Sequence, residues 1–344
     1  MGKYVIKRIT LAFVTTFIIL SITFILIKLL PFERPIGDDR QQTTYFDRQY
    51  NLGYVYRVDY PTDKYGELLY KSPSNKGKTS YYYMVPVMTQ YVNWLKNIVT
   101  EWDWGDSKTY QPNVKASVII MKRIGYSIRL NILSLISVPI GILLGIWAAL
   151  KKNTITDHII STLVMIFISI PSFVSLIFLL QIFAYGLGWF PSTWPTDTAP
   201  LAERIKGYII PVFSLSFNSI CGYCRFVRAE LCDVLESDYL LLARTKGLTR
   251  RQAVNRHALK NAMVPVFPYI VAEFIGILGG SMIHEQLYGI PGIGKLFVLA
   301  MNYKDYDILF VDMAIFTTIS LLMGVVVDLS YQFIDPRIRM GAKK

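Results

Sequence analysis

Asp238-Tyr-Leu-Leu-Leu-Ala-Arg-Thr-Lys-Gly247-Leu-Thr-Arg-Arg-Gln-Ala-Val-Asn-Arg-His257-Ala-Leu-Lys-Asn261 is a polar, basic stretch set between two long apolar segments. Its residues spell helix, glycine, helix. Asp238 can cap the first helix at its N-terminus, and Gly247 suits the left-handed position that ends it. Thr249-Arg-Arg-Gln252 has the spacing of a capping box that starts a second helix. A compact, structured, positively charged loop between two apolar spans predicts more than a connector. It reads as a handle that another protein grips.

The composition around that handle belongs to a membrane protein. Hydrophobic residues make up 53% of the 344 and charged residues only 17%, with a mean hydropathy of +0.37, far from an average soluble domain. A bilayer core of roughly 30 Å asks for about 20 predominantly apolar residues per helix. Six windows meet that demand: Ile9–Leu30, Leu130–Leu150, Ile159–Phe183, Ile209–Phe226, Met263–Ile283 and Ile308–Ile334. The fourth is the most diluted, by Asn218, Cys221, Gly222 and several serines. The expectation is an all-α polytopic membrane protein with six transmembrane helices.

Orientation follows from Lys and Arg in the short flanks. Lys3, Lys7 and Arg8 precede the first span, Lys151 and Lys152 follow the second, and Arg337, Arg339, Lys343 and Lys344 follow the sixth. The handle region carries Arg225, Arg228, Arg244, Lys246, Arg250, Arg251, Arg256 and Lys260 against Glu230, Asp233, Glu236 and Asp238. All four segments share one side if both termini are cytoplasmic. The net charge of +12 is then a topology signal, and no basic face on a soluble domain suggests nucleic acid. The first apolar run ends Leu-Leu-Pro-Phe-Glu33 without a small-x-small cleavage site, so it reads as a retained anchor of the cell membrane.

The division expected is a cytoplasmic N-terminus and first span over 1–30, and an extracytoplasmic segment over 31–126. The core over 127–334 contains the cytoplasmic loop 231–262, and 335–344 forms a cytoplasmic tail. Within 31–126, Tyr54-Val-Tyr-Arg-Val-Asp-Tyr60 has strand-like alternation. Residues 85–104 suit a helix on the membrane surface, with Trp94, Trp102 and Trp104 as interfacial anchors. Two readings stand for this segment: a contact for an external delivery protein, or a small cap over the outer mouth.

Several patterns invite a chemical reading and fail it. Gly289-Ile-Pro-Gly-Ile-Gly294-Lys295-Leu296 has the G-x4-G-K of a phosphate loop, but Leu296 stands where the magnesium-binding hydroxyl belongs, and an apolar span precedes it. A glycine-rich re-entrant turn at the outer mouth fits better. Cys221 and Cys224, with Cys232, sit on or beside an apolar helix and read as buried thiols rather than a redox or zinc site. His158, His257 and His284 are scattered, and no Ser–His–Asp set or paired-carboxylate cleft is visible, so no catalytic residue, metal or cofactor is expected. Glu273 in the fifth span, and Asp312 and Asp328 in the sixth, remain. Such groups are costly in lipid and face a bundle interior or an aqueous cavity. Glu273 either lines a translocation path, with Asn218 and Ser281 as companions, or makes a structural hydrogen bond to a Ser or Asn nearby.

The handle resembles the cytoplasmic coupling motif of binding-protein-dependent ABC importer permeases, E-A-A-x3-G-x9-I-x-L-P. Ala243 and Gly247 fall at its third and seventh positions and Leu259 at its nineteenth, while Leu241, Leu242, His257 and Lys260 depart from it. Those departures resemble the oligopeptide/dipeptide/nickel type. Ala243-Arg-Thr-Lys-Gly-Leu-Thr249 and Arg256-His-Ala-Leu-Lys-Asn-Ala-Met-Val-Pro265 follow its A-R-A-K-G-L-S and R-H-A-L-R-N-A-x-x-P. Arg225-Phe-Val-Arg228, Trp104-Gly-Asp-Ser107, Glu285-Gln-Leu-Tyr-Gly-Ile-Pro-Gly-Ile-Gly-Lys-Leu296, Asp328-Leu-Ser-Tyr331 and Asp335-Pro-Arg-Ile-Arg339 extend the likeness to the first permease of that group. Residues 35–85 look like an insertion.

The resemblance implies a type I ABC importer permease core and a transport subunit without a nucleotide site of its own. Two separate ATPase subunits, binding ATP and Mg, would dock on Leu240, Leu241, Ala243, Arg244, Lys246, Gly247, Leu248 and Arg251. It further implies a second homologous permease, an extracellular or periplasmic substrate-binding protein, membrane lipid around the spans and a peptide substrate. Glu285, Gly289, Pro291, Gly292 and Gly294 would form the outer gate or turn. Nickel is the alternative cargo, disfavoured because it prefers imidazole ligands that the spans scarcely offer. A stand-alone channel or secondary transporter would need broken helices or charge relays, at which only Glu273 hints.

Overall fold

The computed structural model describes residues 2–73, 79–276 and 281–334. The C-terminal Asp335–Arg339 motif and the end of the fifth expected span lie outside the described residues. In chain order the first helices are α1 (Gly2–Lys28) and α2 (Asp39–Asn51), followed by strands β1 (Val55–Val58), β2 (Leu68–Lys71) and β3 (Tyr81–Met84). Then come α3 (Val87–Glu101), α4 (Ala116–Ser134), α5 (Ser137–Leu150), α6 (Ile155–Ile168) and α7 (Ser172–Leu179), which runs into a π-helical turn, Leu180–Gly186. α8 (Leu201–Leu235), α9 (Asp238–Thr245) and α10 (Arg250–Ala253) follow, and a second π turn, Val254–Ala258, leads into α11 (Leu259–Gly276). α12 (Met282–Tyr288), α13 (Ile293–Asn302) and α14 (Tyr306–Ile334) complete the described chain.

Three stretches among the described residues are long and apolar enough to cross a membrane: Val5–Lys28, Ala116–Leu150 and Tyr306–Ser330. The pair Ile155–Ile168 and Ser172–Gly186, bent by 97°, makes a fourth if taken as one broken span. The continuous third span expected over Ile159–Phe183 is therefore corrected. Pro171 cannot donate a helical N–H, and the chain turns at Ser169–Pro171 before α7 starts. The second span begins earlier than Leu130, at Ala116. α8 is long, but its uncharged stretch between Lys206 and Arg225 is diluted by Ser214, Ser216, Asn218 and Ser219 and is less apolar than the other spans. α11 carries Pro265 and Pro268 and is described only to Gly276.

The chain divides into two compact units, residues 1–125 with 291–321, and residues 126–290 with 322–344. The first unit departs from the all-α expectation. Its sheet, ordered β1-β3-β2, is antiparallel throughout, and the alternation read at Tyr54–Tyr60 is its first strand. Phe46 of α2 stacks on Tyr70 of β2 with ring centroids 4.7 Å apart. Trp94 and Trp104 are not interfacial anchors: both are buried, Trp94 against Phe24 and Phe310 and the two indoles against each other. Trp102 alone of the three stays exposed. An aromatic's apolar area is better buried in a core than left at a surface, and α3 turns that face inward.

Two carboxylate sites tie this unit together. Asp305, buried ahead of α14, accepts the Ser107 hydroxyl at 2.6 Å and the backbone N–H groups of Lys108, Thr109 and Tyr110 at 3.1, 3.0 and 2.9 Å. Arg48 of α2 bridges Asp103 and Asp106. Burial alone would raise the Asp103 carboxyl, but hydrogen bonds from Arg48 and from the Gly105 N–H outweigh it and hold the group below its ordinary range.

The second unit is built on α8. Gly141 and Gly145 of α5 let the two backbones meet: a Cβ on Gly145 would sit 2.7 Å from the Cys224 carbonyl oxygen, and one on Gly141 2.6 Å from Tyr223 Cβ. Small residues in membrane helices permit such approach. Cys221, Cys224 and Cys232 are buried free thiols. Asp157 of α6 is buried and takes a bidentate pair of hydrogen bonds from Arg228 of α8, at 2.6 and 2.8 Å.

Candidate coupling site and polar recess

α9, α10 and the turn between them form the handle. Ser237, in an extended conformation, holds the N-cap position, without a side-chain cap bond. This displaces Asp238, expected as the cap, to the first helical residue, where its negative charge still suits the helix dipole. The helix ends at Thr245, and Gly247 has φ +96°, a conformation that glycine adopts without a Cβ penalty. The capping box forms as expected. Thr249 Oγ1 accepts the Gln252 N–H at 3.3 Å, and Gln252 Oε1 accepts the Thr249 N–H at 3.0 Å.

The underside of the handle is apolar. Leu240, Ala253, Ala258 and Ala262 pack with Ala149, Leu231 and Cys232, so α9 rests on the ends of α5 and α8. Leu240, expected at the coupling surface, is buried and anchors the helix instead. Leu248 is half-buried against the same cluster. Leu241, Arg244, Lys246, Gly247 and Arg251 are exposed, and Ala243 is half-buried. Tyr239 and Leu242, absent from the expected set, are also exposed; a helical wheel placing Leu240 inward would have turned both outward. α9 and α10 flank an open groove edged by Asp238, Leu241, Arg244 and Arg250.

Glu273 lies on α11 and accepts the Ser219 hydroxyl of α8 at 2.6 Å. This is the structural hydrogen bond weighed from sequence, yet the carboxylate also borders an open recess of about 390 Å³ with Asn131, Ser134, Leu215 and Tyr269. Neither of its expected companions joins it. The Asn218 amide donates to the Ile170 carbonyl at the break between α6 and α7. Ser281 precedes α12, where its carbonyl accepts the Glu285 N–H. Ser219, Asn131 and Ser134 carry no signal of their own in the sequence, because serine and asparagine are ordinary within membrane helices; only the partner helix marks them.

At the expected outer turn, Glu285 is buried and accepts the Ser127 hydroxyl at 2.6 Å. Gly289 ends α12 with φ +83°. Gly292 starts α13 in extended conformation, and both Gly292 and Gly294 are buried. Pro291 is half-buried between them. A helix, not a strand, precedes the Gly289–Lys295 run, so the geometry of a nucleotide-binding phosphate loop is missing.

The family described as binding-protein-dependent transport system inner membrane component matches residues 141–340, which include the handle and the α8 and α11 residues of the recess. The dipeptide transport system permease protein DppB of Bacillus subtilis (strain 168) is 30% identical over 345 residues, covering 100% of both chains. The oligopeptide transport system permease protein OppB of Salmonella typhimurium (strain LT2) is 32% identical over 351 residues, covering 98% of this chain and 100% of the relative. Among solved structures, an amino acid ABC transporter crystallised with histidines aligns with TM-score 0.48 and 18% identity, over 63% of this chain and 94% of that one. The chain belongs to the family of binding-protein-dependent transport system inner membrane components.

Proposed function

We propose that this chain is the permease subunit of an ABC importer that carries oligopeptides or dipeptides across the cell membrane. The observation that supports this best is the handle: an exposed helix with Leu241, Leu242, Arg244 and Lys246 outward, ended by Gly247 in the left-handed region and fixed below by Leu240. Two ATPase subunits would dock there and bind ATP and Mg themselves. A second, homologous permease would complete the pore, and an external binding protein would deliver peptide. Closure of the ATPase dimer then moves α9 and, through its packing on α5 and α8, the spans as rigid bodies. The cargo is read as peptide because the full-length relatives are named for dipeptide and oligopeptide transport.

The reading includes six spans, with α8 and α11 as the fourth and fifth, and cytoplasmic termini. Reporter fusions test it: one after Lys152 or at Gly247 should report the cytoplasm, and one at Lys295 the outside. Uptake of a radiolabelled tripeptide should disappear on deletion of the gene and return with the wild-type chain. Uptake unchanged by the deletion, or a cytoplasmic Lys295, overturns the assignment.

A further inference from the structure

Two recesses meet at Tyr269. One holds Glu273, whose Oε1 takes the Ser219 hydroxyl. The other, lined by Ile168, Gly222, Arg225, Phe226 and Tyr269, holds an exposed guanidinium. Among the described residues no Lys, Arg or His pairs with Glu273 and no Asp or Glu pairs with Arg225. Tyr269 lines both recesses, its ring fixed by Tyr223 at 4.8 Å and Phe226 at 5.7 Å, yet 42% exposed. Glu273 follows Tyr269 by one helical turn on α11, so carboxylate and ring share a face. A carboxylate beside an open aromatic face is a receptor for an ammonium, and a guanidinium is one for a carboxylate.

We infer that these recesses hold a short peptide as a zwitterion, its α-ammonium at Glu273 and its terminal carboxylate at Arg225. The inference rests on the importer reading and adds how the permease itself recognises cargo. The spacing suits it. Ser219, which marks the carboxylate, and Arg225 are six residues apart on α8, an axial rise of about 9 Å with the two side chains about 120° apart around the helix. An extended tripeptide spans at most about 10 Å. Backbone ends are common to all peptides, so a site reading them tolerates any side chain.

The test uses the complete transporter, both permeases with both ATPases, in lipid nanodiscs without binding protein, so that delivery contributes nothing. Equilibrium binding is measured for trialanine, N-acetyl-trialanine and trialanine amide. In the wild type each blocking group should weaken binding about tenfold or more, the scale of a desolvated charge contact. Glu273→Gln should bind the free and acetylated forms equally while still rejecting the amide; Arg225→Gln should show the reverse. Glu273→Asp should restore part of the preference and keeps the test open if Glu273→Gln fails to assemble. Equal binding of all three peptides by the wild type, or an acetyl penalty unchanged in Glu273→Gln, overturns the inference and leaves the carboxylate a packing group for Ser219. Peptide uptake by cells expressing the wild-type chain decides the importer reading separately.

Discussion

Residues 237–262 take their shape from neighbours in sequence, through an extended Ser237, a left-handed Gly247 and a capping box within four residues. The recess at Glu273 instead draws Asn131 and Ser134 from α4, Ser219 from α8 and Tyr269 from α11. A locally specified element can sit on a surface, keep its form when a partner pulls it, and fail through one backbone angle. An assembled recess tolerates loss of one hydroxyl but depends on how closely its helices approach.

The largest expected effect breaks the local element. Space around Gly247 is open, with nothing within 4 Å of an added Cβ, so a substitution acts through φ +96° alone. Gly247→Val should leave membrane insertion intact and cut peptide uptake by about tenfold or more, since a left-handed β-branched residue costs at least the 1–3 kcal/mol of a strained conformer. Full uptake with full ATPase co-purification in that variant would reduce the handle to a connector. Gly145→Ala comes next and attacks assembly instead. Its methyl would meet the Cys224 carbonyl at 2.7 Å, and overpacking costs about 1–3 kcal/mol. Thermal unfolding of the purified complex should shift downward, and an unchanged midpoint would mean that α5 and α8 slide apart freely.

Ser219→Ala is gentler. It removes one hydrogen bond, worth about 1 kcal/mol, so Glu273 stays in place with more freedom and uptake should fall only a few-fold. A loss as large as that of Gly247→Val would show the recess to be as brittle as the handle. The smallest effect concerns the Arg48–Asp103 bridge, outside both regions. The folded Asp103 carboxyl lies below its ordinary value, so the bridge contributes stability that is complete above the unfolded pKa and is lost as pH falls through the folded one. Unfolding should become easier below about pH 4, and Asp103→Asn should flatten that acid limb. An unaltered limb would assign it to other carboxylates.

The handle was legible because caps and turn glycines are short-range signals, and the strand at Tyr54–Tyr60 because alternation is one too. Leu240 was misplaced for the opposite reason: whether a leucine on an amphipathic helix faces a partner or its own protein depends on what lies beneath. Trp94 and Trp104 differ from the expectation for the same reason, since an aromatic at an interface and one in a core look the same until Phe24 and Phe310 arrive beside Trp94 and Trp94 beside Trp104.

By itself the sequence determined the membrane class, the handle with its left-handed glycine, and the family, all of which rest on composition, local backbone preference or contiguous motifs. Only the tertiary structure decided that the third apolar stretch breaks by 97° at Pro171, that Asp157 belongs to Arg228, and that Glu273 shares Ser219 across two helices. Those facts depend on residues distant in sequence meeting in space. Hydrophobic periodicity identifies which segments are apolar, while side-chain packing and hydrogen-bond satisfaction choose their neighbours.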